Sequence, residues 1–207
     1  MRRTQEQAAQ TRMNILSAAE RQFVQHGFAN TTLEMIASAA GITRGAVYWH
    51  FADKYELLSE LTQHIALPRF HEIPWHQDMP AHEGVQFIVE TTLDWLNLLQ
   101  ENVSQQRLLL IVLHLDGTGH EKSLRYLKTA EEKADRALAV IFETLERSSG
   151  LKSGSSANDI VCALKWLIKG VCWSWLHSGQ MFCLSKYGVA HLTLLMDSVC
   201  LVSRRKP

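Results

Sequence analysis

Proline is scarce in this chain: Pro68, Pro74, Pro80 and Pro207 are the whole complement of its 207 residues. Proline breaks helices, so the three between 68 and 80, beside His71, His76 and His82, mark a connection between two regions and leave the rest open to long helices. Strand-like alternation of β-branched residues is missing as well. Apolar residues recur at helical spacing almost throughout, which predicts an all-α fold. No apolar stretch follows the polar start Met1-Arg2-Arg3-Thr4-Gln5-Glu6, so no secretory signal is expected. The longest apolar run, Leu108 to Leu115, is interrupted by His114 and falls far short of the roughly 20 residues that span a membrane. Cys162, Cys172, Cys183 and Cys200 form no C-x-x-C pair, which predicts reduced, buried thiols in a cytoplasmic protein. There is no internal repeat and no low-complexity tract.

Chemistry-bearing motifs are also lacking. The sequence has no Gly-x-Ser-x-Gly, no phosphate-cradling glycine loop and no His-Glu-x-x-His. His64, His71, His76 and His82 gather around the proline segment, but their spacing matches no common metal site. Neither a cofactor nor a metal is expected, and an enzymatic or metal-binding helical protein is the rival reading. Lys and Arg total 21 against 21 Asp and Glu, so there is no global basic signature. A nucleic-acid partner would have to be met by a local patch. The apolar fraction of 46% suffices for a real core.

What is present is helical. A first helix from about Thr11 to His26 carries Ile15, Leu16, Ala19, Phe23 and Val24 on one face, and Gly27 follows where a left-handed cap is needed. A short second helix starts at Thr31 or Thr32, with Thr31 and Glu34 spaced as a capping box and Leu33, Ile36, Ala37 and Ala40 facing inward. Gly41 ends it. Thr43 caps a third helix from Arg44 to about Trp49, and Asp53 with Glu56 forms a second capping box for a fourth. Beyond the prolines, amphipathic stretches cover roughly Glu83–Glu101, Ser104–Leu115, Glu121–Ser148, Ala157–His177 and Ser185–Val202. Breaks fall at Gly117 and Gly119 and across 148–156.

Residues 32–51, TLEMIASAAGITRGAVYWHF, have helix-turn-helix character: a short helix, a glycine-containing turn and a second short helix. Glycine at 41 permits the positive φ of the turn. Gly45 costs about 1 kcal/mol against alanine inside a helix, which close approach to a DNA surface would explain. Arg44 suits guanine O6 and N7, and Thr43 a phosphate or a thymine methyl. Tyr48, Trp49 and His50 have apolar bodies and polar tips that can donate to phosphate oxygens. Lys54 and the hydroxyls of Thr31 and Thr32 stand at helix starts, where free N–H groups also attract phosphate. Phe51 reads as core.

This stretch resembles the DNA-binding domain of the TetR family of one-component bacterial regulators. The matching positions are Thr11-Arg12, Ala18-Ala19, Phe23, Gly27, Thr31-Thr32, Ile36-Ala37, Ala40-Gly41, Gly45, Tyr48, His50-Phe51, Lys54 and Leu57-Leu58. The wording from Gly41 to Phe51 looks most like the AcrR/TtgR-like branch that represses multidrug efflux operons. The resemblance implies about nine helices, with the last two pairing across a two-fold axis. It also implies that Thr43, Arg44, Ala46, Tyr48, Trp49, His50 and Lys54 face DNA. The expected organisation is a DNA-binding domain over 1–56 and a ligand-binding and dimerisation domain over 57–207.

The expected function is that of a ligand-responsive, homodimeric repressor of an efflux operon, released from pseudo-palindromic operator DNA by a small hydrophobic or aromatic ligand. A TetR-like repressor or activator of a metabolic pathway is the alternative. For the dimer, Ile160, Val161, Leu164, Leu167, Ile168, Val171 and Trp175 form one wide apolar face, and His191, Leu192, Leu195, Met196, Val199 and Val202 another. They suit an intermolecular four-helix bundle. For the ligand, the candidates are Trp95, Leu110, His114, Lys165, Trp166, Lys169 and Trp173, polar or aromatic groups set in apolar helices. The two lysines suggest aromatic or acidic ligands.

Overall fold

The computed structural model describes residues 2–76, 79–115, 121–148, 150–152 and 154–201. Among them the chain forms nine α-helices and one 3₁₀ turn, with no strand. The helices are α1 (Arg2–Asn30), α2 (Leu33–Ala40), α3 (Arg44–His50), α4 (Lys54–Gln63), α5 (Ala81–Glu101), α6 (Val103–Leu113), α7 (Arg125–Arg147), α8 (Ala157–His177) and α9 (Leu184–Val199). The 3₁₀ turn, Phe70–Glu72, lies in the proline segment between α4 and α5. No described helix is long and apolar enough to cross a membrane. The breaks expected at Gly117 and Gly119, and Val202 at the end of the last apolar face, lie outside the described residues.

The helix starts follow their capping side chains. Thr43, Asp53 and Ser156 are extended residues whose side chains accept backbone N–H groups of α3, α4 and α8, filling donors that have no partner within the helix. At α2 the cap is Thr32, whose hydroxyl accepts the Met35 N–H. Thr31 is not the cap, so the Thr31–Glu34 box does not form. The Asp53–Glu56 pair is nearly a box: Asp53 accepts from Tyr55 and Glu56, while Glu56 Oε2 accepts from Ala52 N at 2.7 Å, one residue earlier than expected. α1 begins well before Thr11, and Gly27 interrupts it with φ 76° and ψ 157°.

Contacts divide the chain into two units. The first comprises Met1–Ile65 with Val103–Lys128. Here α1 packs on α2, α4 and α6, and α3 packs on α2. Ile15, Ala18, Phe23, Ile36, Val47, Phe51, Leu57 and Leu58 are buried. The Thr62 hydroxyl donates to Ser123 O (3.0 Å) and that of Ser123 to Tyr55 O (2.9 Å), so buried polar groups are paired. A boundary at 56–57 falls inside α4.

The second unit comprises Ala66–Asn102 with Thr129–Pro207. Its core joins Ile88 of α5, Leu138, Ile141, Phe142 and Leu145 of α7, Ile160 and Leu164 of α8, and Leu192 and Met196 of α9. An antiparallel bridge between Leu151 and Cys200 ties the α7–α8 loop to the end of α9. All four cysteines are free. Burial pushes the Cys172 thiol up to about 12 and that of Cys200 up to about 11. Cys183 departs from the expected burial: it is exposed at the start of α9.

Ile160, Leu164, Trp175, Leu192 and Met196, expected at a dimer interface, are instead buried within the protomer. Helices α8 and α9 carry apolar residues around more than one face, and these positions lie on the inward stripe. Leu164→Ala therefore lowers protomer stability by about 2–5 kcal/mol through cavity formation, read by urea unfolding. A loss below 0.5 kcal/mol would contradict the core assignment.

Candidate nucleic-acid interface

The recognition element is built from the turn outward. α2 ends at Gly41, which adopts φ 68° and ψ 29°. The Gly41 and Ile42 N–H groups return to Ser38 O (3.1 Å) and Ala37 O (3.0 Å), closing the helix end with a left-handed cap. Thr43 then opens α3, its hydroxyl oxygen accepting the Ala46 N–H at 3.2 Å. Val47 and Phe51 are buried and fix the inner side of α3.

The opposite side of α3 is open. Thr43, Arg44, Gly45, Tyr48 and Trp49 are exposed, Ala46 and His50 half-buried. Trp49 is 74% exposed, touching His50 edge-on at 4.6 Å, so it is not a core aromatic. A Cβ added at Gly45 would meet only Thr43 Oγ1, at 3.9 Å. Nothing within the chain demands glycine there, and an unobstructed strip of α3 backbone results. Thr43 uses its oxygen as the acceptor for its cap, which leaves its hydroxyl proton free to donate outward, whereas the Thr32 hydroxyl, besides capping α2, donates to the Glu34 carboxylate.

Two expected contacts are corrected. The Thr31 side chain is buried, its hydroxyl donating toward Gly27 O (2.7 Å) and Gln22 O (3.1 Å). It is a core-side tie for the end of α1 and faces no solvent. Lys54 Nζ reaches Phe28 O (2.8 Å), Ala29 O (2.9 Å) and Thr31 O (3.1 Å) and lies 4.7 Å from the Phe28 ring centroid. An ammonium has three N–H donors, and all three are engaged at the C-terminal end of α1, where carbonyls concentrate negative potential.

Two groups overlooked in the sequence complete the element. Arg12 Nε donates to Glu60 Oε1 (3.1 Å), its Nη2 pairs with Oε2, and its Nη1 donates to His50 O (2.7 Å). The guanidinium carbon lies 4.1 Å from the Phe51 ring centroid. Burial and the neighbouring Arg12 charge lower the His50 pKa. Glu34 on α2 holds Arg44: Oε1 to Nη1 is 2.5 Å, while Arg44 Nη2 donates to the Tyr48 hydroxyl at 2.9 Å. The Tyr48 hydrogen bond and the Glu34 charge raise the Arg44 pKa. Thr11-Arg12 was legible only as a matching dipeptide, and Glu34 only as a cap partner.

The seven candidate ligand residues do not converge. Trp95 lines a groove of about 470 Å³ with Phe87, Ile73 and Leu98, its indole N–H donating to Ala66 O at 2.8 Å. Leu110 and His114 lie in the other unit, beside Phe23 and Phe28. Lys165 pairs with Asp135 (2.6 Å) and Lys169 with Glu131 (3.2 Å). These cations already have carboxylate partners on α7, which removes the argument for an acidic ligand. Trp166 and Trp173 point outward, Trp166 being 73% exposed. Trp166 borders a trough of about 580 Å³ with Gly170 and Val171 of α8, Phe182 of the connecting loop and Tyr187 of α9. Leu194 of α9 is exposed as well, while the expected interface residues Val171, Leu195 and Val199 are half-buried.

A family model described as "Bacterial regulatory proteins, tetR family" matches residues 15–61. The chain is 56% identical over 61 residues to the HTH-type transcriptional regulator TtgR of Pseudomonas putida, covering 30% of this chain and 29% of that regulator. It is 30% identical over 182 residues to the HTH-type transcriptional regulator SrpR of Pseudomonas putida, covering 86% of this chain and 80% of SrpR. Its fold is similar to NalD, the secondary repressor of the MexAB-OprM multidrug efflux pump in Pseudomonas aeruginosa (TM-score 0.80, 25% identity, 96% of this chain and 100% of NalD). It is also similar to SmeT in a complex with triclosan (TM-score 0.69, 25% identity, 95% of each chain).

Lys54→Met keeps the apolar stem and removes the ammonium. It is expected to destabilise the first unit by about 1 kcal/mol, because two part-buried carbonyls and one exposed carbonyl lose their donor. The salt dependence of any DNA binding by the folded protein stays unchanged. A fall of about one phosphate contact in that slope would instead place Lys54 on the duplex.

Proposed function

Because this chain belongs to the tetR family of bacterial regulatory proteins, we propose that it is a homodimeric, ligand-responsive repressor of a multidrug efflux operon. The observation that carries this reading is the open face of α3, with Thr43, Arg44, Tyr48 and Trp49 exposed around an unobstructed Gly45. A helix of this size enters a major groove, where Arg44 bonds guanine O6 and N7. Thr43 at the start of α3 donates to a phosphate and fixes the register, and Thr32 joins it where a phosphate takes the place of Glu34. The DNA-reading residues lie within 1–56, and the sensing and dimerising part within 57–207.

Two copies read a pseudo-palindrome with half-sites about 34–36 Å apart, or a multiple of that. The exposed trough of α8 and α9 supports the dimer, since a large aromatic such as Trp166 left in water invites cover. Ligand sensing is drawn from the similarity to the triclosan-bound SmeT and from the groove beside Trp95. A small aromatic molecule that prefers the conformation unable to bind operator shifts the population toward it. The regulatory family and the lack of a catalytic motif leave no reaction to assign, and the protein is proposed to work in the cytoplasm.

Footprinting on DNA upstream of the protein's own gene tests this. Protection is expected over a two-fold pattern and is relieved by triclosan-like aromatics at fixed salt. Arg44→Ala with Tyr48→Ala weakens that binding by about 1–3 kcal/mol for the lost base contact. Undiminished affinity in the double variant would remove α3 as the reader.

Trp166→Glu is expected to convert a dimer into a species of 23.5 kDa in light scattering, with helicity retained. A variant that remains dimeric would place the interface elsewhere.

A further inference from the structure

The guanidinium of Arg44 is not idle in the free protein. Its Nη1 meets Glu34 Oε1 at 2.5 Å, its Nη2 donates to the Tyr48 hydroxyl at 2.9 Å, and its carbon lies 5.2 Å from the Tyr48 ring centroid. Both partners stand at the exposed surface, with 59% of the Arg44 side chain and 52% of that of Glu34 accessible. A carboxylate therefore sits on the surface that would approach a polyanion, bonded to the arginine of α3.

We propose that Glu34 is a specificity-determining residue of the DNA-reading surface, which suppresses binding to non-cognate duplex more than binding to operator. This rests on the reading that α3 enters the major groove. An exposed ion pair contributes little net stability, so it yields readily when Arg44 finds a guanine presenting O6 and N7 together. On an arbitrary sequence no such edge is in place. Arg44 then stays with Glu34 and is lost as a phosphate contact, while the carboxylate faces phosphates and the acceptor atoms that dominate the groove edge. On operator, the carboxylate released from Arg44 can accept from a cytosine N4 or adenine N6 amino group, a donor that only some sequences present. The device is repulsive discrimination: it weakens wrong partners rather than strengthening the right one.

The test uses the full-length protein and two duplexes of equal length and composition. One is enriched from a randomised library by the wild-type chain, and the other is its scrambled counterpart. Affinities are read by fluorescence anisotropy across a salt series. Glu34→Gln keeps the size and polarity of the side chain without its charge. The variant is expected to tighten binding to the scrambled duplex about fivefold to tenfold and to steepen its salt slope by about one contact. It is expected to change binding to the enriched duplex by about twofold or less, so the specificity ratio falls. Glu34→Ala, tested beside it, is expected to lower the ratio likewise, since the effect belongs to the charge. Equal gains on both duplexes would show a plain charge effect and overturn this inference alone, as would no change on either. If the library yields no enriched duplex, or Arg44→Ala leaves the enriched duplex bound as before, the groove reading fails and this inference with it.

Discussion

The Arg12 guanidinium meets the Glu60 carboxylate along one edge, the His50 carbonyl at another and the Phe51 ring across its face. α3 has seven residues, too few to persist as a helix on local hydrogen bonds. Its shape is imposed by what surrounds it: Thr43 at one end, buried Val47 and Phe51 along the inner side, and Arg12 at the other end. A cation at a helix C-terminus answers the negative end of the dipole and a carbonyl with no intrahelical partner. One residue of α1 thereby sets the position of α3 and binds it to α4 through Glu60. The exposed groups of α3 inherit their geometry from this contact, although Arg12 itself faces the protein.

That dependence explains which parts of the structure could be read in the sequence. Thr43, Gly41 and Asp53 act through neighbours two to four residues away, and local spacing identifies them. The boundaries of α8 follow for the same reason, from Ser156 at its start to His177 at its end. The misplaced assignments are those decided at long range. Thr31 and Thr32 look equivalent in sequence, yet the chain leaving Gly27 turns one inward and the other to the helix start. Lys54 looks like a phosphate ligand until the end of α1, 23 to 26 residues earlier, brings three carbonyls to it. Lys165 looks like a buried cation until Asp135, 30 residues earlier, supplies its carboxylate.

Helices α8 and α9 show a different limit. Both are apolar over most of their circumference, and periodicity alone does not say which stripe lies inside one protomer. Burial assigns Leu164, Trp175, Leu192 and Met196 to the protomer interior, while Trp166 and Leu194 are left at the surface. The resemblance to known regulators implies α8 and α9 as the pairing helices, and burial shows which stripe of each lies inside the protomer. The candidate ligand residues share a composition and no common face, and they are dispersed over two units for the same reason. The neutral net charge also conceals a local arrangement at α3, where one carboxylate and one guanidinium neutralise each other.

The three-carbonyl seat of Lys54 has a mechanical corollary. The first residue of α4 is fastened to the last turn of α1 and to the residue that precedes the cap of α2. There is consequently no slack joint at that end of α4 in which a displacement could dissipate. A pull on α4 drags α1 and the start of α2 along, and Arg12 carries α3 in the same movement. Helices α1 to α4 then behave as one stiff casting, in which a load on any one of them is shared by the other three.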